Sequence, residues 1–254
     1  MRRRTALSLA GTALAGVAGC ASLSTERNQS PAGTGSLAVA FDALQPAVVE
    51  LFVDAYEFEA AADSQYLFLS GADATGPDRR FRFDGSEYDP GVDTSYDLVR
   101  APSTFGAPTE VDDWVVFELP ETGDGSDAAL VGPDGEWRPN DTLRERLAAP
   151  VPSLDVTEFE GPSAVPAGDS PTFTVTVSNE SDTDGRFLGV LRPPEGSYTT
   201  GQLASRSVEA GASVTLEATV DAVGTPTPGY GQGNALRYEL DWTGGSEIAT
   251  LAVE

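Results

Sequence analysis

The feature that most constrains the fold is a strict alternation, Thr172-Phe173-Thr174-Val175-Thr176-Val177-Ser178. A period of two puts Phe173, Val175 and Val177 on one face of a strand and the threonines on the other. One face must be covered while the other can meet water, as in an antiparallel sheet. The pattern recurs along the chain. Leu37, Val39 and Phe41 alternate, and so do Val49, Leu51 and Val53, with Tyr56 and Phe58 extending that strand past a bulge. Tyr66 and Phe68 form the next stripe, then Phe81 and Phe83. In Trp114–Pro120, Phe117 and Leu119 face a core, opposite Trp114, Val116 and Glu118. Turn dipeptides such as Asp84-Gly85 and Asp134-Gly135 bound these runs, because glycine tolerates positive φ and aspartate bonds neighbouring backbone.

The second half reads in the same way. Leu154–Phe159, Arg186–Arg192 and the flanks of Glu209-Ala210-Gly211-Ala212 are strands. Leu236, Tyr238, Leu240 and Trp242 form a long stripe, and Gly244-Gly245 turns the chain into Ile248–Val253. Many short strands at this spacing predict an all-β chain of two tandem sandwiches, residues 37–149 and 150–254. Asp141–Leu147 is the one helical candidate, with Asn140 or Asp141 as its cap and Pro150 as its stop. The proline-rich stretch at 148–152 marks the boundary between the sandwiches.

Residues 1–19 have the three parts of an export signal: Arg2-Arg3-Arg4, a short Ala- and Gly-rich apolar run, and small residues at the end. The run is too short to span a bilayer, which takes about 20 apolar residues. Arg3 and Arg4 resemble the pair of a twin-arginine signal. Val17-Ala18-Gly19-Cys20 resembles the lipobox of lipoproteins, which implies that Cys20 is lipidated and becomes the new N-terminus. Residues 20–36 are then the lipidated cysteine and a Ser/Gly/Pro-rich tether with a reach of roughly 20–25 Å.

The chain has 40 acidic residues against 15 basic ones, a net charge of −25, no histidine and one cysteine. Every basic residue is arginine. Such charge repels itself in dilute buffer. At molar salt the Debye length falls to about 3 Å and the repulsion is screened. Signal and acidity together resemble a haloarchaeal surface lipoprotein. No nucleic-acid partner is expected, because there is no basic patch. No intrachain disulfide can form, since Cys20 has no second cysteine to pair with.

Two stretches carry family resemblances. Gln65-Tyr66-Leu67-Phe68, Phe83-Asp84-Gly85, Tyr88 and Trp114–Pro120 are similar to telokin-like immunoglobulin-type domains of prokaryotic lipoproteins. Phe173–Phe187 and Val208–Leu216 resemble CARDB-type immunoglobulin-like domains. The resemblances imply two tandem immunoglobulin-like β-sandwiches after a signal peptide and flexible tether. The first implies a fold and no activity; the second also implies a spacer, adhesion or binding role on a cell surface.

Without histidine there is no Ser-His-Asp or Cys-His catalysis, and without lysine no Schiff base. Nothing singles out a carboxylate pair for glycoside hydrolysis. The expectation is a non-catalytic protein with no cofactor and no metal. Its predicted address is the outer face of the cytoplasmic membrane, held by the lipid on Cys20. Its partner would be a surface protein or a glycan. The alternatives are an accessory ligand-binding lipoprotein of a membrane complex and, more remotely, an extracellular hydrolase.

Asn28, Asn140 and Asn179 head N-x-Ser/Thr triplets and are candidate glycosylation sites. Tyr198 and Tyr230, in Gly/Pro/Thr-rich loops, are candidate binding-loop residues. Glu180–Gly185 mimics the start of a calcium loop, but an EF-hand needs an acid at position twelve, and that position is Leu191. A looser cation site from Asn179, Asp182 and Asp184 competes with a plain solvated hairpin tip.

Overall fold

The computed structural model describes residues 37–53, 55–76, 78–92, 97–108, 114–194, 201–221 and 235–254. The elements of the first half are β1 (Ala40–Gln45), β2 (Val48–Phe52), β3 (Ala55–Glu59), β4 (Ser64–Ser70), β5 (Arg80–Phe83), β6 (Ser86–Tyr88), β7 (Asp97–Val99), β8 (Trp114–Pro120), β9 (Ala129–Gly132), β10 (Gly135–Trp137) and the helix α1 (Asp141–Ala148). Those of the second half are β11 (Asp155–Glu160), β12 (Ala164–Val165), β13 (Thr172–Ser178), β14 (Gly185–Arg192), β15 (Gln202–Val208), β16 (Ser213–Thr219), β17 (Ala235–Trp242) and β18 (Gly245–Val253). The chain is all-β apart from α1 and one short 3-10 turn among the described residues. All strand pairs are antiparallel except β12 with β18.

In the second half, β11-β13-β16 faces β12-β18-β17-β14-β15. The threonine stripe does what its period requires. Phe173, Val175 and Val177 are fully buried, joined by Phe187, Leu191, Tyr238, Leu240 and Leu251. On the outer face, hydroxyls of Thr172 and Thr219 meet at 2.9 Å and those of Thr176 and Thr215 at 3.3 Å. Cross-strand pairs of this kind each add a few tenths to about 1 kcal/mol.

The first half departs from a simple two-sheet sandwich. Sheet β1-β4-β8 packs one face against β10-β9-β5-β6 and α1, around Leu67, Leu69, Phe81, Phe83, Phe117 and Leu119. Its other face, with Ala43, Tyr66, Phe68 and Val116, packs against Val48 and Leu98 of a third sheet, β3-β2-β7. Strand β4 is therefore buried on both faces. Helix α1 begins as expected: Asn140 Oδ1 accepts from the Leu143 amide at 2.8 Å. Gln65 ties its far end to β8, donating from Nε2 to Leu147 O and Pro120 O, both at 2.9 Å.

Two hairpins show how turn chemistry acts. Asp84 and Gly85 both take positive φ, 50° and 72°, as the tight turn from β5 to β6 demands. The expected bulge beyond Val53 is a correction: the chain reverses there, and β2 pairs with β3 in the register Phe52↔Ala55. Val53 takes φ 53° with 81% of its side chain exposed. A β-branched residue is strained in that conformation and gains no burial in return. Replacing Val53 by Asn, which accepts this region, should raise stability by about 1 kcal/mol and Tm by a few degrees in a thermal melt. An unchanged or lower Tm would show that the turn is relaxed with valine in place.

Candidate functional site

A constellation of polar and apolar groups lies where the two halves meet. Strand β14 holds a continuous apolar run, so both of its faces need cover. Phe187 and Leu191 enter the second core, while Leu188 and Val190 point the other way. There, with Leu203 of β15, they pack against Ala47, Val49 and Tyr56 of the third sheet. Leu51, Phe58, Val99 and Ala101 flank this cluster. Burying each large side chain of this kind contributes about 1.5–3 kcal/mol.

The segment after β7 completes the junction. Gly106 and Leu203 exchange two backbone bonds, at 3.0 and 2.9 Å, and the Ser205 amide donates to Pro102 O at 2.7 Å. Phe105 packs against the second core. Pro102–Gly106 thus covers the free edge of β15.

Charges are buried beside it. Asp42 of β1 pairs with Arg100. Arg186 of β14 donates to Ser205 Oγ at 2.9 Å and Ser207 Oγ at 3.1 Å. Burial pushes the Asp42 carboxyl above its ordinary range, against the pull of Arg100 and Arg186. Burial likewise works against the Arg186 charge, which Asp42 supports. Further out, Arg192 bridges Asp241 and reaches Glu57 of the first half at 3.5 Å. These groups are placed to fix orientation.

A second feature is an open groove of about 500 Å³ beside the junction, lined by Thr104, Arg206, Thr215, Leu216 and Glu217. Its residues come from distant parts of the chain, and sequence reading singled out none of them.

Of the residues picked out by sequence, Cys20, Arg3, Arg4, Asn28, Tyr198 and Tyr230 lie outside the described residues. Asn140 is exposed, with its side-chain oxygen spent on the helix cap. Asn179 is a correction: it is 1% exposed, so its side chain is not offered to a glycan in the folded chain. Its Nδ2 donates to Thr183 O at 2.8 Å and Val208 O at 3.0 Å. Its Oδ1 accepts from the Ser181 amide at 3.1 Å and the Ser181 hydroxyl at 2.7 Å. Asp184 is similarly spent, accepting from the Ala210 amide at 3.0 Å. The acidic turn is thus held by its own polar groups, with Asn179 as its buried centre. Among the described residues, no group of three Cys, Asp or Glu side chains is placed to hold a metal ion. Nor is any helix among them long and apolar enough to cross a membrane.

No protein-family model matches the chain, and no curated protein does. Several solved structures show partial likeness, two enzymes among them. One is the β-glucosidase of Listeria innocua in complex with isofagomine, with a TM-score of 0.32 and 13% identity over 42% of this chain and 17% of that one. The other is the alkylpurine DNA glycosylase of Pseudomonas fluorescens bound to DNA containing an abasic-site analogue, with a TM-score of 0.31 and 10% identity over 45% of this chain and 33% of that one. The match thus spans a third or less of the length of either protein. At these scores the likeness carries no argument about activity.

Proposed function

We propose that this chain is a non-catalytic, lipid-anchored surface protein whose two β-rich halves, the second an immunoglobulin-like sandwich, act as one stiff interaction module. The observation that supports it is the junction. Leu188, Val190 and Leu203 of the second half are buried against Val49 and Tyr56 of the first, and main-chain bonds cross at Gly106 and Leu203. A stalk or presenting platform needs such a joint, because it holds both ends of the module in a fixed relation. The strand order of the second half, with β12 added in parallel to β18, fits the immunoglobulin-like reading. The groove beside Arg206 favours an accessory binding role over a bare spacer.

The anchor reading rests on the lipobox-like Val17-Ala18-Gly19-Cys20. A diacyl chain on Cys20 supplies roughly 0.8 kcal/mol per buried methylene, enough for stable attachment. Cys20→Ser should move the protein from the membrane fraction to the medium, as read by fractionation and immunoblot. Retention of that variant in the membrane would rule out the lipid anchor.

A further inference from the structure

Among the described residues, the place beside β16 that one further strand would take is open. In the second half the three-stranded sheet ends at β16, but the facing sheet continues to β15 and then to Pro102–Gly106. Val208 at one end of β15 is fully buried and Gln202 at the other bonds Thr219 O, but Arg206 between them is uncovered. It pairs in register with Phe187, so it points to the interior face, yet it is exposed. No carboxylate among the described residues ion-pairs with it, in a chain with 40 acids.

The free edge of β16 supplies unmade hydrogen bonds. The Asn179 amide donates to Ala212 O and the Val220 amide to Pro171 O, which fixes the phase of the β13–β16 ladder. Antiparallel pairs alternate between bonded and non-bonded. Val214, Leu216 and Ala218 therefore bond to β13, and the amides and carbonyls of Ser213, Thr215, Glu217 and Thr219 point into the groove. Among the described residues only Thr219 O has a partner there, Gln202 Nε2 at 2.7 Å. The other edges of this sandwich are protected. β15 is covered by the 102–106 segment, β11 carries a bulge and three acids, and β12 is two residues long. β16 is seven residues without bulge or proline, the kind of edge that takes up another strand.

We propose that this slot accepts one extended polypeptide segment as a strand added to β16, with an acidic side chain facing Arg206. Main-chain bonds to Thr215 and Glu217 supply affinity, and alternate side chains supply selectivity. The inward position meets the Arg206 guanidinium and favours a carboxylate. The outward position lies across from Glu217 and favours a cation or a hydroxyl. A second copy of the chain does not fit, because its own five-stranded sheet would need the space that β15 and Thr104 hold. This inference is independent of how the chain is anchored.

The test is fluorescence anisotropy with a labelled peptide, acetyl-Thr-Val-Lys-Asp-Thr-Val-Thr-amide, on the purified chain in molar KCl. Saturable binding is expected. Changing the peptide's Asp to Lys, or N-methylating alternate amides, should weaken it at least about tenfold. Thr215→Pro should weaken it as much while leaving circular dichroism intact, since the lost amide is not in the β13 ladder. Arg206→Ala, away from that ladder, should weaken the Asp peptide and erase its advantage over the Lys peptide. Absence of saturable binding, or equal affinity in both variants, overturns the proposal. So does a dimer in sedimentation that Thr215→Pro abolishes, which would assign the edge to a second copy.

Discussion

Replacing Asn179 by alanine lowers the stability of the chain by about 3 kcal/mol and its Tm by roughly 10 °C. The side chain makes four hydrogen bonds from a position that is 1% exposed. Truncation leaves the Val208 and Thr183 carbonyls without this donor, and those losses cost more than the bonds contribute net. It also frees the turn that leads β13 into β14, because the Ser181 amide and hydroxyl both rest on Asn179 Oδ1. Aspartate in its place should fail almost as badly: it keeps the acceptor and loses both donors. Asn140→Ala is the comparison within the same chain. It removes one exposed cap bond and should cost only about 1 kcal/mol. Thermal melts in molar KCl read all three. A loss at Asn179 no greater than at Asn140 would mean that the buried amide is not the centre of the turn.

Val190→Asp should separate the two halves. Val190 is fully buried among Leu188, Leu203, Val49 and Tyr56. An unpaired carboxylate there costs several kcal/mol. The cheapest relief is opening of the junction, because Val190 points away from the second core and that core can stay closed. Calorimetry of the unaltered chain should show one cooperative transition. The variant should show two, with the lower one displaced by well over 5 °C. A single transition merely shifted downward would mean that the halves unfold together for reasons other than this contact.

Much of this architecture was legible from the period of the side chains. Phe173, Val175 and Val177, Phe81 and Phe83, and Phe117 and Leu119 all lie where alternation places them. So does the Asn140 cap, because an oxygen acceptor two or three residues ahead of free amides is a local matter. The reversal at Val53 was not legible, since nothing in its side chain favours a positive φ and the pairing of β2 with β3 overrides it. The junction was half legible. Phe187-Leu188-Gly189-Val190-Leu191 is a continuous apolar run, which signals a strand buried on both faces, but not the partner that buries the second face. The groove was not legible at all. Thr104, Arg206 and Glu217 meet only because the 102–106 segment crosses to cover β15, and no local pattern encodes that crossing. Asn179 was picked for an exposed role that its buried position denies.

The stiffness of the joint is the central claim, and a distance measured across it is the direct test. Glu87 on β6 and Glu247 on β18 are exposed and lie in different halves. With Cys20 replaced by serine, Glu87→Cys and Glu247→Cys give two unique sites for spin labels. Double electron–electron resonance at molar salt should give one narrow distance distribution, which Val190→Asp broadens. A broad distribution in the chain with Val190 intact would contradict the account, since it would make the two halves independent bodies on a flexible link.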